Sequence, residues 1–261
     1  MEFLYPGIRH CGCTFGGMLE SSLLSSRSLP AYSPHADHAL PRDAAVLEGP
    51  VAEAGSGVFT GLRRRFRRER RRRKVGRAYD MALEIARVVP NAYEILDVGC
   101  GNGFIAHHLA GLLGSYVLGI DVGGKPEAPI NFRRYDGKHF PASDQSFEVV
   151  LFCYVLHHAQ DVAAIFSELG RVLRADGLVV VYEDIPATWW DRLICDIHNR
   201  QWRHRTGECA FRSEGEWRET FQAAGFEVLQ QRTLSRWRNL AHPVQRQLFL
   251  LRLNTNTPQS N

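Results

Sequence analysis

The stretch ILDVGCGNGF, residues 95–104, concentrates residue types that can bind a nucleotide. Glycines at 99, 101 and 103 let a chain turn sharply and bring its backbone against a ligand without side chains in the way. Asp97 stands two residues before the first of them, and Asp121 follows 22 residues after Gly99. That interval is close to the roughly 20 residues at which an acid meets ribose hydroxyls in nucleotide-binding α/β units. A dinucleotide is disfavoured. Phe104 occupies the third glycine position of G-x-G-x-x-G, and a carboxylate at 97 repels a pyrophosphate while attracting a ligand that carries an ammonium and a sulfonium. The chain has no Y-x-x-x-K pair, which removes one common dehydrogenase arrangement.

These residues need a strand, a tight turn and a helix to position them, and the pattern supplies all three. YEILDV (93–98) is a short apolar strand, FIAHHLAGLL (104–113) a helix stopped by Gly114, and YVLGID (116–121) a second strand. INFRRY (130–135) and FEVVLF (147–152) are a third and fourth. A helix over about 161–173 and the turn Asp176-Gly177 then lead to LVVVY (178–182). Ahead of them, Ala78, Met81, Ala82, Ile85, Ala86 and Val89 recur at helical spacing up to Pro90-Asn91. Ser213 and Glu216 form a capping box for a helix ended by Gly225, and FEVL (226–229) and QLFLLRL (247–253) complete the sheet. Alternating strands and helices with near-continuous apolar strands predict an α/β fold, a doubly wound, mostly parallel sheet covered on both faces. One irregularity stands out. Only eight residues, 122–129, separate the second and third strands, whereas a parallel crossover ordinarily takes about a dozen or more, so the usual helix is expected to be missing or reduced.

Composition sets the wider frame. Hydrophobic residues at 44% and charged residues at 23% of 261 fit a globular chain with a core, and no apolar run approaches the roughly 20 residues of a membrane-spanning helix. Six cysteines without C-x-x-C spacing argue against a zinc ribbon or disulfide scaffold and for a reducing, cytoplasmic setting. Cys11 and Cys13 resemble a fragment of a metal site that nothing nearby completes, so no metal is expected. Residues 1–58 hold five of twelve prolines and a cluster of serines, which predicts a flexible tail. A signal peptide fits them poorly, and a start at Met18 is an equal alternative. The run Arg63–Lys74 carries +9, against +4 for the whole chain. The tail is therefore placed at 1–75, ending in this basic run, before a domain at 76–254 and a terminal tail at 255–261.

An ordered series of segments resembles the class I S-adenosylmethionine-dependent methyltransferases, the methyltransferase type 11-like group in particular. DVGCGNG (97–103) resembles the family's first motif, and GID (119–121) its ribose acid. YDGKHFPASDQSFEVV (135–150) resembles the segment from the adenine side into the fourth strand. VLHHAQD (155–161), RVLRADGLVVV (171–181) and AGFEV (224–228) resemble the elements that follow. The resemblance covers about 76–254 and implies a Rossmann-like, seven-stranded sheet with S-adenosylmethionine as cofactor. It places Gly99, Cys100, Gly101 and Gly103 around the methionine part, with Asp97 near its amino group. Asp121 would lie on the ribose, Asp136 and Gly137 at the adenine amine, and Phe152 and Cys153 beside the cofactor at the end of the fourth strand. The short crossover puts the geometry of Asp136 in question, and a turn-forming role is its alternative.

Methyl transfer asks mainly that donor and acceptor be held in line, with a base added for a hydroxyl or protonated amine. Candidates project from the ends of the fourth and fifth strands: His157 and His158, then Tyr182, Glu183 and Asp184, with Trp189, Trp190, Asp191 and His198 in the stretch beyond. His157, His158 and Glu183 are the catalytic candidates. Structural loop histidines are the competing reading, since many such transfers need no base. The expected acceptor is a small or lipid-like molecule. RNA guided by the basic run, or a non-catalytic nucleotide-binding scaffold, are the alternatives. For Arg63–Lys74 itself, a solvated helical segment, a nucleic-acid contact and an anionic membrane contact all remain open.

Overall fold

The computed structural model describes residues 58–254, and the readings of residues 1–57 and 255–261 as tails lie outside them. Helix α1 (Val58–Val88) leads into β1 (Glu94–Val98), α2 (Phe104–Leu113), β2 (Tyr116–Asp121), β3 (Asn131–Arg134) and β4 (Phe147–Cys153). Next come α3 (Val162–Val172), β5 (Leu173–Ile185), α4 (Trp189–Thr206), α5 (Glu214–Ala223), β6 (Phe226–Leu234) and β7 (Gln245–Leu253). The seven strands form one sheet in the order β3-β2-β1-β4-β5-β7-β6. Strands β1 to β5 pair in parallel, and β7 runs antiparallel between β5 and β6. The expected doubly wound sheet is therefore what the chain forms.

Each face of the sheet has its own core. Leu96, Val98, Ile120, Val150 and Phe152 pack with Phe166 and Leu169 of α3 and with Trp217 and Phe221 of α5. On the other side Ile95, Val117, Val149, Leu151 and Val180 meet Ala82 and Ile85 of α1, Val89 just past its end, and Ala106 and Leu109 of α2. Side chains alternate across a strand, so one apolar run feeds both layers. Asp161 caps α3 by accepting from Ala164 N at 2.9 Å, and the box of Ser213 and Glu216 opens α5 as its spacing predicts. A second capping box, Thr188 with Asp191, opens α4.

One boundary differs from the sequence reading. The basic run does not precede the first helix of the domain but lies inside it. One helix of 31 residues carries Arg63–Lys74 on its first half and the buried stripe on its second, so the border drawn at residue 76 falls within continuous helix. Arg71 and Lys74 reach Glu127 at 3.6 and 4.0 Å, and the Arg71 guanidinium lies 5.9 Å from the Phe104 ring centre. The β2–β3 crossover contains no helix, as its eight residues predict. Glu127 N and Ala128 N instead donate to Asn102 O at 3.1 and 3.0 Å, so the short connection packs directly on the glycine turn.

Candidate functional site

The turn after β1 is tied to β2: Gly99 N and Cys100 N both donate to Ile120 O, at 2.8 and 3.1 Å. Gly99 has φ +71, and a Cβ there would sit 2.1 Å from Val155 Cγ2. Gly103 has φ +75, and a Cβ there would press on Ile130 and Pro126 of the short crossover at 2.9 and 3.0 Å. Both positions need glycine on two counts, conformation and space. Asp121 ends β2 with its carboxylate turned to this loop, accepting from Gly101 N at 2.9 Å and Gly123 N at 2.7 Å.

Asp97 is buried, and neither of its carboxylate oxygens has a hydrogen-bond partner. Burial, then the nearby Asp121 carboxylate, push its pKa up to about 7. Burial likewise raises the thiols of Cys100 and Cys153, both of which also feel the Asp97 charge. A dry carboxylate with two idle oxygens at the mouth of a glycine turn suits a cationic group that brings its own donors. The residues present therefore fit the ammonium end of S-adenosylmethionine, with Asp121 one strand away.

Other cofactor candidates stand differently. Asp136 Oδ1 accepts from Lys138 N and His139 N, each at 2.8 Å, and Oδ2 lies 3.1 Å from His139 Nδ1. The His139 backbone bond first, then its side chain and the Lys138 amide, hold the Asp136 carboxylate well below the usual range. It shapes its own turn, with Gly137 at φ +86 beside it. Phe152 does not line the site. Its side chain is fully buried in the α3 and α5 core, 6.4 Å from the Phe166 ring, because β4 alternates and position 152 faces away from Cys153.

Past β4 the chain bends through Tyr154, at φ +60, an unusual conformation for a tyrosine and one that clusters at functional sites. Here lies a cavity of about 580 Å³, walled by Tyr154, His157, His158, Tyr182 and Asp184 from the strand ends. His198 of α4, Met81 and Glu84 of α1, and His242 and Arg246 from the β6–β7 segment close it. Glu183 is fully buried and committed: Oε1 accepts from Leu156 N at 2.8 Å, and Oε2 meets His157 Nδ1 at 2.6 Å. Burial works to discharge His157, but the Glu183 carboxylate prevails and holds its pKa above the ordinary value. His158 is pulled down to about 3 and His198 to about 4, by burial first and neighbouring imidazoles second, so both are neutral at physiological pH. Asp184 joins Arg246 Nε at 3.1 Å and His242 Nε2 at 2.9 Å.

Several expectations resolve here. His157, His158, Tyr182 and Asp184 meet at this cavity with His198 from α4, and Glu183 lies behind His157. Trp189 is largely exposed at the start of α4, and Asp191 serves its helix cap and Arg236 at 3.2 Å. Tyr154, His242 and Arg246 were not foreseen. Arg246 lies in β7 and His242 just before it, and only the pairing of β7 with β5 brings them here.

Residues 64–231 match the family described as a methyltransferase domain. A 2-methyl-6-phytyl-1,4-hydroquinone methyltransferase from Synechocystis is 28% identical over 154 residues, 52% of this chain and 47% of that protein. A demethylmenaquinone methyltransferase from Lactobacillus johnsonii is 30% identical over 108 residues, 36% of this chain and 44% of that one. The chain thus spans less than half the length of these relatives. A solved S-adenosylmethionine-dependent methyltransferase from Methanosarcina mazei superposes with TM-score 0.51 at 19% identity, over 62% of this chain and 93% of that one; at that identity the likeness is one of fold. With the glycine turn, the paired acids and the seven-stranded order in hand, the chain belongs to the class I S-adenosylmethionine-dependent methyltransferase family.

Proposed function

We propose that the protein transfers a methyl group from S-adenosylmethionine to a small acceptor bound in the cavity beyond β4. The observation that carries this is Asp97: a buried carboxylate without partners, next to a glycine turn, calls for a cation. When bound, S-adenosylmethionine supplies a methyl group already activated by a positive sulfur. In this reading Asp97 holds the amino group and the backbone of Gly99, Cys100, Gly101 and Gly103 lies along the methionine part. Asp121 takes the ribose hydroxyls with lone pairs that the loop amides leave free, Cys153 flanks the site, and Asp136 and Gly137 form its outer rim.

The acceptor cavity supports a small molecule bearing oxygen. Its walls mix Tyr154, Met81 and Leu234 with Arg246, whose Nη1 is buried and has no partner. A ring with a hydroxyl or carbonyl would satisfy both features, and relatives named as hydroquinone and demethylmenaquinone methyltransferases are in keeping with it. His158 faces this space, while Glu183 orients His157 from behind. Among the described residues no helix is long and apolar enough to cross a membrane. The test is a labelled-methyl transfer assay on cell extract separated into lipid, nucleic-acid, protein and small-molecule pools. Label in a small-molecule or lipid fraction supports the reading; label confined to RNA or protein, or none at all, rejects it.

A further inference from the structure

His157, His158 and His198 bring one ring nitrogen each into a cluster whose atoms all lie within 4.8 Å of one another. We infer that these three imidazoles form a binding site for a divalent transition ion of zinc's class, open towards the acceptor cavity. His158 Nε2 and His198 Nε2 are 3.4 Å apart. That is long for an N–H···N hydrogen bond, but it matches the edge of a tetrahedron with metal–nitrogen bonds of about 2.0–2.1 Å, roughly 3.4 Å.

The outer nitrogens of His157 and His158 are held as ligating histidines require. Nδ1 of His157 is engaged by Glu183 at 2.6 Å, which leaves Nε2 buried and without a partner. Nδ1 of His158 is engaged by Thr206 Oγ1 at 3.1 Å and lies 3.3 Å from Cys209 Sγ. Such bonds on the far nitrogen fix ring orientation in metal sites. Three imidazole nitrogens as the protein donors match a catalytic coordination set, since structural zinc sites carry four protein ligands. With no carboxylate among the ligands, imidazole-preferring ions are favoured over magnesium or calcium. Sequence spacing concealed the set, because His198 lies 40 residues beyond His158 on α4; the expectation of no metal rested on cysteine spacing alone.

The ion-binding claim stands apart from methyl transfer. Only its consequence, that the ion holds the acceptor's oxygen, rests on that reading. The full chain, stripped with chelator, is titrated with Zn²⁺ by calorimetry and with Co²⁺ by visible spectroscopy, and S-adenosylhomocysteine affinity is measured separately as a check on fold. One equivalent of either ion is expected, with a cobalt band of tetrahedral type. His158→Ala and His198→Ala should each weaken binding about 100-fold and leave S-adenosylhomocysteine affinity unchanged. His198 is only half-buried on its helix, so the His198→Ala variant decides if the other fails to fold. Absence of stoichiometric binding by the wild-type chain, or equal affinity in His198→Ala, overturns the site. Neither result bears on the cofactor loop, which the S-adenosylhomocysteine titration tests independently.

Discussion

Asp97 sits where its charge is unwelcome until something positive arrives. Its folded pKa near 7 lies above the ordinary 3.8, so the empty protein holds this proton more tightly than the unfolded chain does. The resulting penalty grows as pH rises from about 4 to about 7 and then levels off. Asp97→Asn should therefore raise the Tm of the ligand-free protein at pH 8, while abolishing S-adenosylhomocysteine binding in calorimetry. A cationic ligand must ionise Asp97, so wild-type affinity should fall about tenfold per pH unit below 7, with proton release on binding. Asp121, Cys100 and Cys153 are the titratable neighbours, and burial keeps both thiols neutral throughout this range. Asp121→Ala should cost at least about tenfold in affinity, roughly 1.4 kcal/mol; an unchanged titration would remove Asp121 from the ribose.

Among the elements, α1 is two helices in one. Its first half, Arg63 to Arg70, is exposed, whereas Ala82 and Ile85 are completely buried in the second. Replacing Arg63, Arg64, Arg67 and Arg68 by Gln should shift stability by no more than about 0.5 kcal/mol per site, whereas Ile85→Ala should cost about 2–5 kcal/mol in urea unfolding. This helix also shows what a sequence reveals and what it conceals. The apolar stripe from Ala78 to Val89 was legible because burial imposes a period. The basic half has no such period, and its helicity is inherited from the packed half it extends. The short crossover was legible from eight residues alone; that Pro126 and Ile130 then pack against Gly103 was not, because steric fit between loops leaves no repeat to read.

For the whole molecule, the glycine turn was visible because its residues are contiguous. The cavity was half visible: His157, His158 and Glu183 lie at strand ends, where open sheets keep their ligands. Arg246 and His242 arrive from the far end of the sequence through an antiparallel strand, and only the sheet order puts them there. The buried Asp184–Arg246 pair should behave as a unit. Arg246→Met should destabilise by about 3–5 kcal/mol, and Asp184→Asn added to it should recover much of that loss in chemical denaturation.

Strand β7 is made after β6 yet lies between β6 and β5. Until it is translated, β5 has an unpaired edge, β6 has no neighbour to join and the cavity lacks a wall. The glycine turn and its acids, by contrast, lie within residues 97–121 and need the chain only as far as β4 and Val155. On the ribosome, the nucleoside pocket can take shape well before the acceptor pocket, and a chain cut short before residue 245 would keep the first while presenting a bare, apolar strand edge to its neighbours.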